Sequence, residues 1–320
     1  MNYVVQRLLT FPIILFGVSV VVFVAIRLVP GDAITAMLGT EAGLLTDAQR
    51  ASLAKYFGID QPMLVQYGRW VTGLFHGDLG VSVTYGKPVL EVILARFPLT
   101  LELAILAMVI ALVIGVPAGV FAATRNEKLP DLIVRILAML GQSTPSFVLA
   151  LLIILGLSEW FGTVPAMGDF VPLFEDPLGN LGQMLLPAAV LGFAFAASVT
   201  RITRAAMLDV LSDDYVRTAR SKGVSARGVV WRHALPNALI PVVTLSGVEF
   251  GYLLGGAVIV EQVFALPGLG RLTLDAITQR DYALVEGSVL FVALNFMVLN
   301  LLVDLAYAAL DPRVRLGGRS

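Results

Sequence analysis

The chain contains no cysteine. Disulfides, iron–sulfur clusters and thiolate metal sites are therefore excluded. Histidine is almost as scarce. His76 and His233 are the only two, far apart, with no cluster of acidic residues at ligand spacing around either, so no bound metal is expected. Catalytic signatures are missing too: there is no HExxH and no GxSxG. The stretch Gly80–Pro88 only approximates a phosphate-binding loop, because five residues separate its glycines and Pro88 stands where Ser or Thr is needed. Charge is the other thing in short supply. Only 14% of the 320 residues are charged and 58% are hydrophobic, whereas a soluble domain averages about 25% charged residues. A water-soluble fold would have to expose much of that apolar surface, so a lipid environment is the simpler reading. The formal net charge of −1 says little, since membrane proteins are organised by where their charges sit.

What is present in quantity is the long apolar run. A helix needs about 20 such residues to cross the hydrocarbon core. Six segments qualify: Leu8–Val29, Leu101–Ala123, Leu132–Leu157, Leu185–Ile202, Leu239–Val260 and Val285–Leu305. None alternates with period two, which argues against a transmembrane barrel. The first run follows Arg7 but outlasts the roughly 7–15-residue core of a signal peptide, and no small-x-small cleavage site follows, so it reads as an uncleaved helix.

Lys and Arg concentrate after the second, fourth and sixth runs. They include Arg125 and Lys128, then a series from Arg201 to Arg232, then Arg313, Arg315 and Arg319. The stretch Ser158–Met184 has none, and carries Glu159, Asp169, Glu175 and Asp176 instead. The positive-inside rule then predicts both termini in the cytoplasm, in agreement with an even number of spans. The long excursion Gly31–Phe97 falls outside. Within it, Thr46-Asp47 caps a short helix ending at Gly58. Gln61–Leu74 makes another, with Tyr67, Trp70 and Leu74 on one face, suited to a membrane interface or a docking surface.

One polar segment is locally well written: Ser212–Pro241. Ser212 can cap a helix, Asp213 and Asp214 suit its first turn, and Arg220 and Lys222 suit its last. Gly223 can take the left-handed position that ends it. The result is a helix of about three turns between two spans. It is too short to stand alone in water, so Val216, Ala219 and the Tyr215 ring must pack on something. From spacing alone, that could equally be its own bundle or acidic lipid.

Arg217-Thr218-Ala219, three residues, Gly223, nine residues, then His233-Ala234-Leu235-Pro236 resembles the EAA motif of ABC importer permeases. That motif reads E-A-A, three residues, G, nine residues, I-x-L-P. Ala219, Gly223, Leu235 and Pro236 match it. Arg217, Thr218 and His233 depart from it in the manner of the dipeptide, oligopeptide, nickel and glutathione permeases. Pro30-Gly31-Asp32, Gly77–Ser82, Val260–Phe264, Pro267–Arg271 and Ala306–Arg313 resemble the same branch, in order along the chain.

The resemblance implies an all-α, six-span type I permease fold. Residues 1–97 would form the first helix plus an extracytoplasmic helical extension, 98–311 the transmembrane domain, and 312–320 a cytoplasmic tail. It further implies a coupling helix at about 212–223, in which Asp214, Tyr215, Val216, Arg217, Thr218, Ala219, Arg220, Lys222 and Gly223 meet an ATPase. The partners implied are a second, homologous permease in a heterodimer, two cytoplasmic ATPase subunits, an extracytoplasmic substrate-binding protein and the inner-membrane bilayer, with no nucleic acid. ATP and magnesium would sit on the ATPase subunits, and this chain would be neither an enzyme nor a cofactor holder. Its cargo would be peptides or related small solutes.

A stripe on the fifth run, Ser246, Glu249, Leu253 and Gly256, lies at helical spacing. It could line the translocation path or meet the partner permease, or Glu249 could be hydrogen-bonded inside the subunit as helix glue. Gly115–Gly119 and Gly251–Gly255 are small-xxx-small pairs that permit close helix packing, within the subunit or between subunits. Pro117, Pro145, Pro187 and Pro241 fall inside runs and predict kinks. An ion-coupled secondary transporter is the alternative; it would show paired mid-membrane charges and two related halves, and neither is evident. An intramembrane enzyme lacks any catalytic constellation.

Overall fold

A computed structural model describes residues 3–28, 34, 43–56, 58–162 and 170–310, and among them every named element is helical. In chain order the helices are α1 (Tyr3–Leu28), α2 (Asp47–Tyr56), α3 (Met63–Leu74), α4 (Val89–Thr124), α5 (Leu129–Ser143), α6 (Ser146–Phe161), α7 (Pro177–Leu211), α8 (Asp214–Ser221), α9 (Leu235–Val263), α10 (Leu269–Thr278) and α11 (Tyr282–Leu310). A short turn, Ala226–Gly228, and a π-helical segment, Val229–Ala234, lead into α9. The Pro30–Asp32 motif, Asp311–Arg313 and the tail 312–320 lie outside the described residues. Contacts divide the chain into two compact units: Met1–Thr100 with Pro267–Met297, and Leu101–Leu266 with Val298–Ser320.

In the first unit, Val22 and Ile26 of α1 form a buried core with Val89 and Ile93 of α4, Leu272 of α10 and Leu284 of α11. The two short helices expected in the excursion are present. Helix α2 opens with a capping box: Thr46 Oγ1 accepts from Gln49 N at 3.3 Å while Gln49 Oε1 accepts from Thr46 N at 2.9 Å. Helix α3 lays its aromatic face on α1. Trp70 stacks on Phe23 at 5.8 Å, Tyr67 meets Phe23 edge-on at 5.1 Å, and the Tyr67 and Ser19 hydroxyls lie 2.9 Å apart. Arg27 covers the other end of Phe23, 3.4 Å from the ring centroid, and pairs with buried Glu286. Gly77–Ser82 becomes a fixed turn. The buried carboxylate of Asp281 accepts from Ser82 Oγ and from Thr84 N, and Val81 bridges to Pro88.

In the second unit, α4 and α7 cross through glycine. A Cβ on Gly115 would lie 2.7 Å from Val199, and one on Gly119 would lie 2.6 Å from Thr203. From the other side, a Cβ on Gly192 would lie 2.5 Å from Ala107 O. The Gly115–Gly119 pair thus packs inside the subunit. Below the crossing, Met207, Ala234, Leu235 and Ala238 close a core with Val120 and Ala123. At the start of α5, the buried carboxylate of Asp131 takes two bonds from Arg204 of α7, at 2.6 and 2.8 Å, and Arg204 also reaches Asn126.

Among the described residues, five helices are each long and apolar enough to cross a membrane. The expected third span, Leu132–Leu157, falls on two helices, α5 and α6, that are together long and apolar enough to cross but are bent by 99°; counted as one broken span, the pair makes six. Its break falls at Thr144-Pro145. Pro145 offers no N–H to the ladder and pushes the preceding residue out of the helical region, and Thr144 is extended (φ −88, ψ 117). Pro187 and Pro241, by contrast, sit inside unbroken helices. Helix α7 also runs nine residues beyond the Leu185–Ile202 stretch, because Ala206 and Met207 of its last turns are buried.

Candidate coupling and passage sites

Helix α8 is shorter than its sequence suggests and begins later. Ser212 does not cap it. Ser212 closes α7 instead (φ −87, ψ −12), and its Oγ donates to Asp209 O at 2.7 Å. Asp213 takes the N-cap position in an extended conformation without a side-chain cap bond, so the helix is Asp214–Ser221, two turns rather than three. The cause is that α7 extends almost to α8, leaving Ser212 and Asp213 as the whole turn between them. The C-terminal end is as expected: Lys222 is the C-cap, Gly223 adopts φ +81, and Val224 N donates to Ala219 O at 3.2 Å.

The packing of α8 is one-sided. Val216 and Ala219 are buried, whereas Asp214, Arg217, Thr218, Arg220 and Lys222 are exposed. Tyr215 adds a polar latch. Its hydroxyl donates to His233 O at 3.2 Å in the π-helical segment and accepts from Asn237 Nδ2 at 2.8 Å on α9. A π turn has looser bonding than an α turn and is commonly found at functional sites. Here it sits where the chain leaving α8 enters α9. Arg217 and Asp214 pair at 3.6 Å across an exposed face, with little stabilising effect. A small buried stripe and a hydroxyl anchor tie α8 to the base of α9 and leave Asp214, Arg217, Arg220 and Lys222 exposed on its other side.

On α9, Ser246 and Leu253 are buried within the unit, and the Ser246 hydroxyl donates to Val242 O at 2.8 Å. Glu249 is half-buried. The surroundings of Gly256 lie outside the described residues. Gly251 is buried, while Gly255 is exposed with open space around it.

Several polar pairings went unread in the sequence: Arg204 with Asp131, Arg27 with Glu286, Asp281 with Ser82, and Arg201 with Gln142. Each joins residues distant in the chain. The available signal was a charge or amide within or beside an apolar run, which has to find a partner. No group of three or more His, Cys, Asp or Glu placed to hold a metal occurs among the described residues.

Residues 115–316 match the family described as binding-protein-dependent transport system inner membrane component, and residues 1–104 match its N-terminal membrane-component family. The chain is 42% identical over 316 residues, 98% of its length and 99% of the relative's, to the glutathione transport system permease protein GsiC of Escherichia coli K12. It is 44% identical over 299 residues, 93% of its length and 94% of the relative's, to a Brucella abortus protein proposed to be a peptide transport system permease. Among solved structures, a chain of the MetNI methionine ABC transporter superposes with a TM-score of 0.57 at 18% identity, covering 69% of this chain and 97% of the other. A chain of an amino acid ABC transporter gives 0.50 at 21% identity, with 70% and 94% covered. At that identity the likeness is one of fold, which is that of importer permeases. Nothing in the fold or the comparisons favours the ion-coupled alternative. The chain belongs to the binding-protein-dependent transport system inner membrane components: it is a multi-pass permease subunit of an ABC importer.

Proposed function

We propose that this permease imports glutathione-like or short peptide cargo delivered by an extracytoplasmic binding protein, and that α8 is the helix through which cytoplasmic ATPase subunits drive it. The observation that carries the reading is the construction of α8: a left-handed Gly223 closing the helix, Val216 and Ala219 buried beneath it, and Tyr215 hydrogen-bonded to the base of α9. Reversing a gate from 1:99 to 99:1 takes about 5.5 kcal/mol, which a latched helix can transmit and a loose loop cannot. The cargo class rests on the relatives' names. ATP and magnesium belong to the ATPase subunits, and a second, similar permease completes the pathway.

In this reading both termini are cytoplasmic, residues 1–97 carry the extracytoplasmic extension, residues 98–311 form the transmembrane domain and 312–320 a cytoplasmic tail. The Ser246, Glu249, Leu253 and Gly256 stripe contributes to the pathway or the permease contact through its half-buried member, Glu249.

The test is Gly223→Val. A Cβ there meets nothing within 4 Å, so the change acts only through backbone conformation at φ +81. A left-handed β-branched residue costs about 1–2 kcal/mol, and relieving it displaces the helix end. The expected result is an assembled complex that binds loaded binding protein but loses uptake and cargo-stimulated ATP hydrolysis. Normal uptake with normal stimulation would remove α8 from the coupling role.

A further inference from the structure

Helix α3 is packed on α1 at the depth of a membrane span. The aromatic contacts between the two fall within Leu9–Leu28, the part of α1 that is long and apolar enough to cross. The Tyr67 ring lies 6.4 Å from that of Phe16 and 5.1 Å from that of Phe23, and its hydroxyl is 2.9 Å from that of Ser19. Trp70 stacks on Phe23 at 5.8 Å. Phe23 stands five positions before Leu28, about 7 Å along the helix, and Ser19 nine positions before it, about 13 Å. Helix α3 thus lies beside the apolar run and not beyond its end.

With Tyr67 and Trp70 packed on α1, a second apolar stripe is left over on α3. Leu64, Gly68, Val71 and Phe75 follow one another at spacings of four, three and four, so they share one side of the helix. Phe75 is the C-cap and keeps a helical conformation (φ −66, ψ −16), so it continues the stripe. Leu64 and Phe75 are each 85% exposed, and a Cβ on Gly68 would meet nothing within 4 Å. Leu64 and Val71 stand three before and four after Tyr67 and therefore flank its ring on the helix surface. On the α1 side of that ring, Phe16 is itself 61% exposed. One apolar surface runs from the spanning helix across Tyr67 onto the stripe. Farther round α3, Thr72 and then Arg69 are exposed. An apolar stripe bordered by polar and basic residues is the pattern of a helix lying in the plane of a membrane interface.

We propose that α3 is seated in the bilayer, with Leu64, Gly68, Val71 and Phe75 inserted at the boundary between headgroups and acyl chains, in the leaflet at the Leu28 end of α1. The occupant of the stripe is lipid. A seat about 7 Å below the end of the run agrees with the roughly 5–10 Å to which interfacial helices bury their apolar face. Asp78 N donates to Gly73 O at 3.0 Å, so the Gly77–Ser82 turn is tied directly to the end of α3, and the bilayer sets the level of both. This goes beyond the importer reading and does not depend on its cargo.

Because the chain lacks cysteine, single nitroxide labels report the stripe without background. Leu64→Cys, Gly68→Cys and Phe75→Cys on the stripe, and Thr72→Cys and Arg69→Cys off it, are labelled in the complete transporter reconstituted in phosphatidylcholine bilayers. Collisions of each label with oxygen and with a neutral nickel chelate are then read by power saturation. Hydrocarbon admits oxygen and excludes the polar chelate, so the oxygen-to-nickel ratio on the stripe should exceed that at Arg69 about tenfold, with Thr72 between. Equal ratios on and off the stripe would put it in water. Stripe labels reached by neither reagent would mean that a partner chain covers them. Either result overturns the proposal. The Gly68 label enters open space, so the test stands even where a Leu64 or Phe75 variant fails to assemble. None of these readouts needs cargo or ATP, so a transporter that fails to take up peptide would count against the cargo class and not against the seat of α3.

Discussion

The two sides of α7 solve opposite problems with the same residue types. On the interior side, Arg204 is provided with a buried carboxylate from α5, two charge-assisted bonds and an amide. Gly192 on that helix and Gly115 and Gly119 on α4 let the backbones touch. One turn away, the exposed Arg201 has, among the described residues, only the Gln142 amide and, through it, the Ser198 hydroxyl. A charge that must be buried for folding brings its own counterion, whereas an exposed one can do without.

Breaking the interior side should have the largest effect. Asp131→Ala strands a guanidinium whose side chain is only 20% exposed. The loss should be about 3 kcal/mol, the low end for a broken buried pair because some solvent contact remains. It would be seen as a collapse in the yield of monodisperse complex and a lower thermal midpoint. Arg204→Leu in the same chain should recover much of that loss, since it removes the stranded charge. If the double variant is no better than the single, the pair is not the reason for the loss. Next comes Gly192→Val, whose Cβ would lie 2.5 Å from Ala107 O. Forcing the helices apart should cost about 1–3 kcal/mol, with the same two readouts. The smallest effect belongs to the outward side. Arg201→Gln should change the thermal midpoint by an amount equivalent to no more than about 0.5 kcal/mol. A loss as large as that of Asp131→Ala would mean that both sides of α7 are structural, and the contrast would fail.

The apolar runs were legible because the bilayer imposes a length and a composition on every crossing: α4, α7, α9 and α11 each contain the run that announced them, and α1 covers its run from Leu8 to Leu28. The end of α8 was legible because Gly223 and the residues before it form a local motif. Its beginning was not, because Ser212 can cap a helix or close one, and burial of Met207 one turn earlier decides between them. The break at Thr144-Pro145 was only half legible. Pro117, Pro145, Pro187 and Pro241 all fell in apolar runs and the sequence treats them alike, yet of these only Pro145 follows a residue driven fully out of the helical region. The polar pairs were not legible at all. Asp131 and Arg204 are 73 positions apart, and nothing in their local sequence names the partner.

The 99° break also has a consequence for membrane thickness. Helix α6 has 16 residues and α5 has 15, so at a rise of about 1.5 Å per residue neither leg exceeds about 24 Å. The hydrocarbon core is about 30 Å deep. Whichever leg stands upright therefore ends about 6 Å or more short of the far interface, while the other turns away almost at right angles. The bilayer at that point must thin, or protein must stand in for it, and thinning costs fractions of a kcal/mol per ångström of mismatch. Membrane thickness should therefore bear on this subunit mainly through Thr144-Pro145: thicker bilayers would strain the bend or recruit a neighbour to cover it, and thin ones would relieve it.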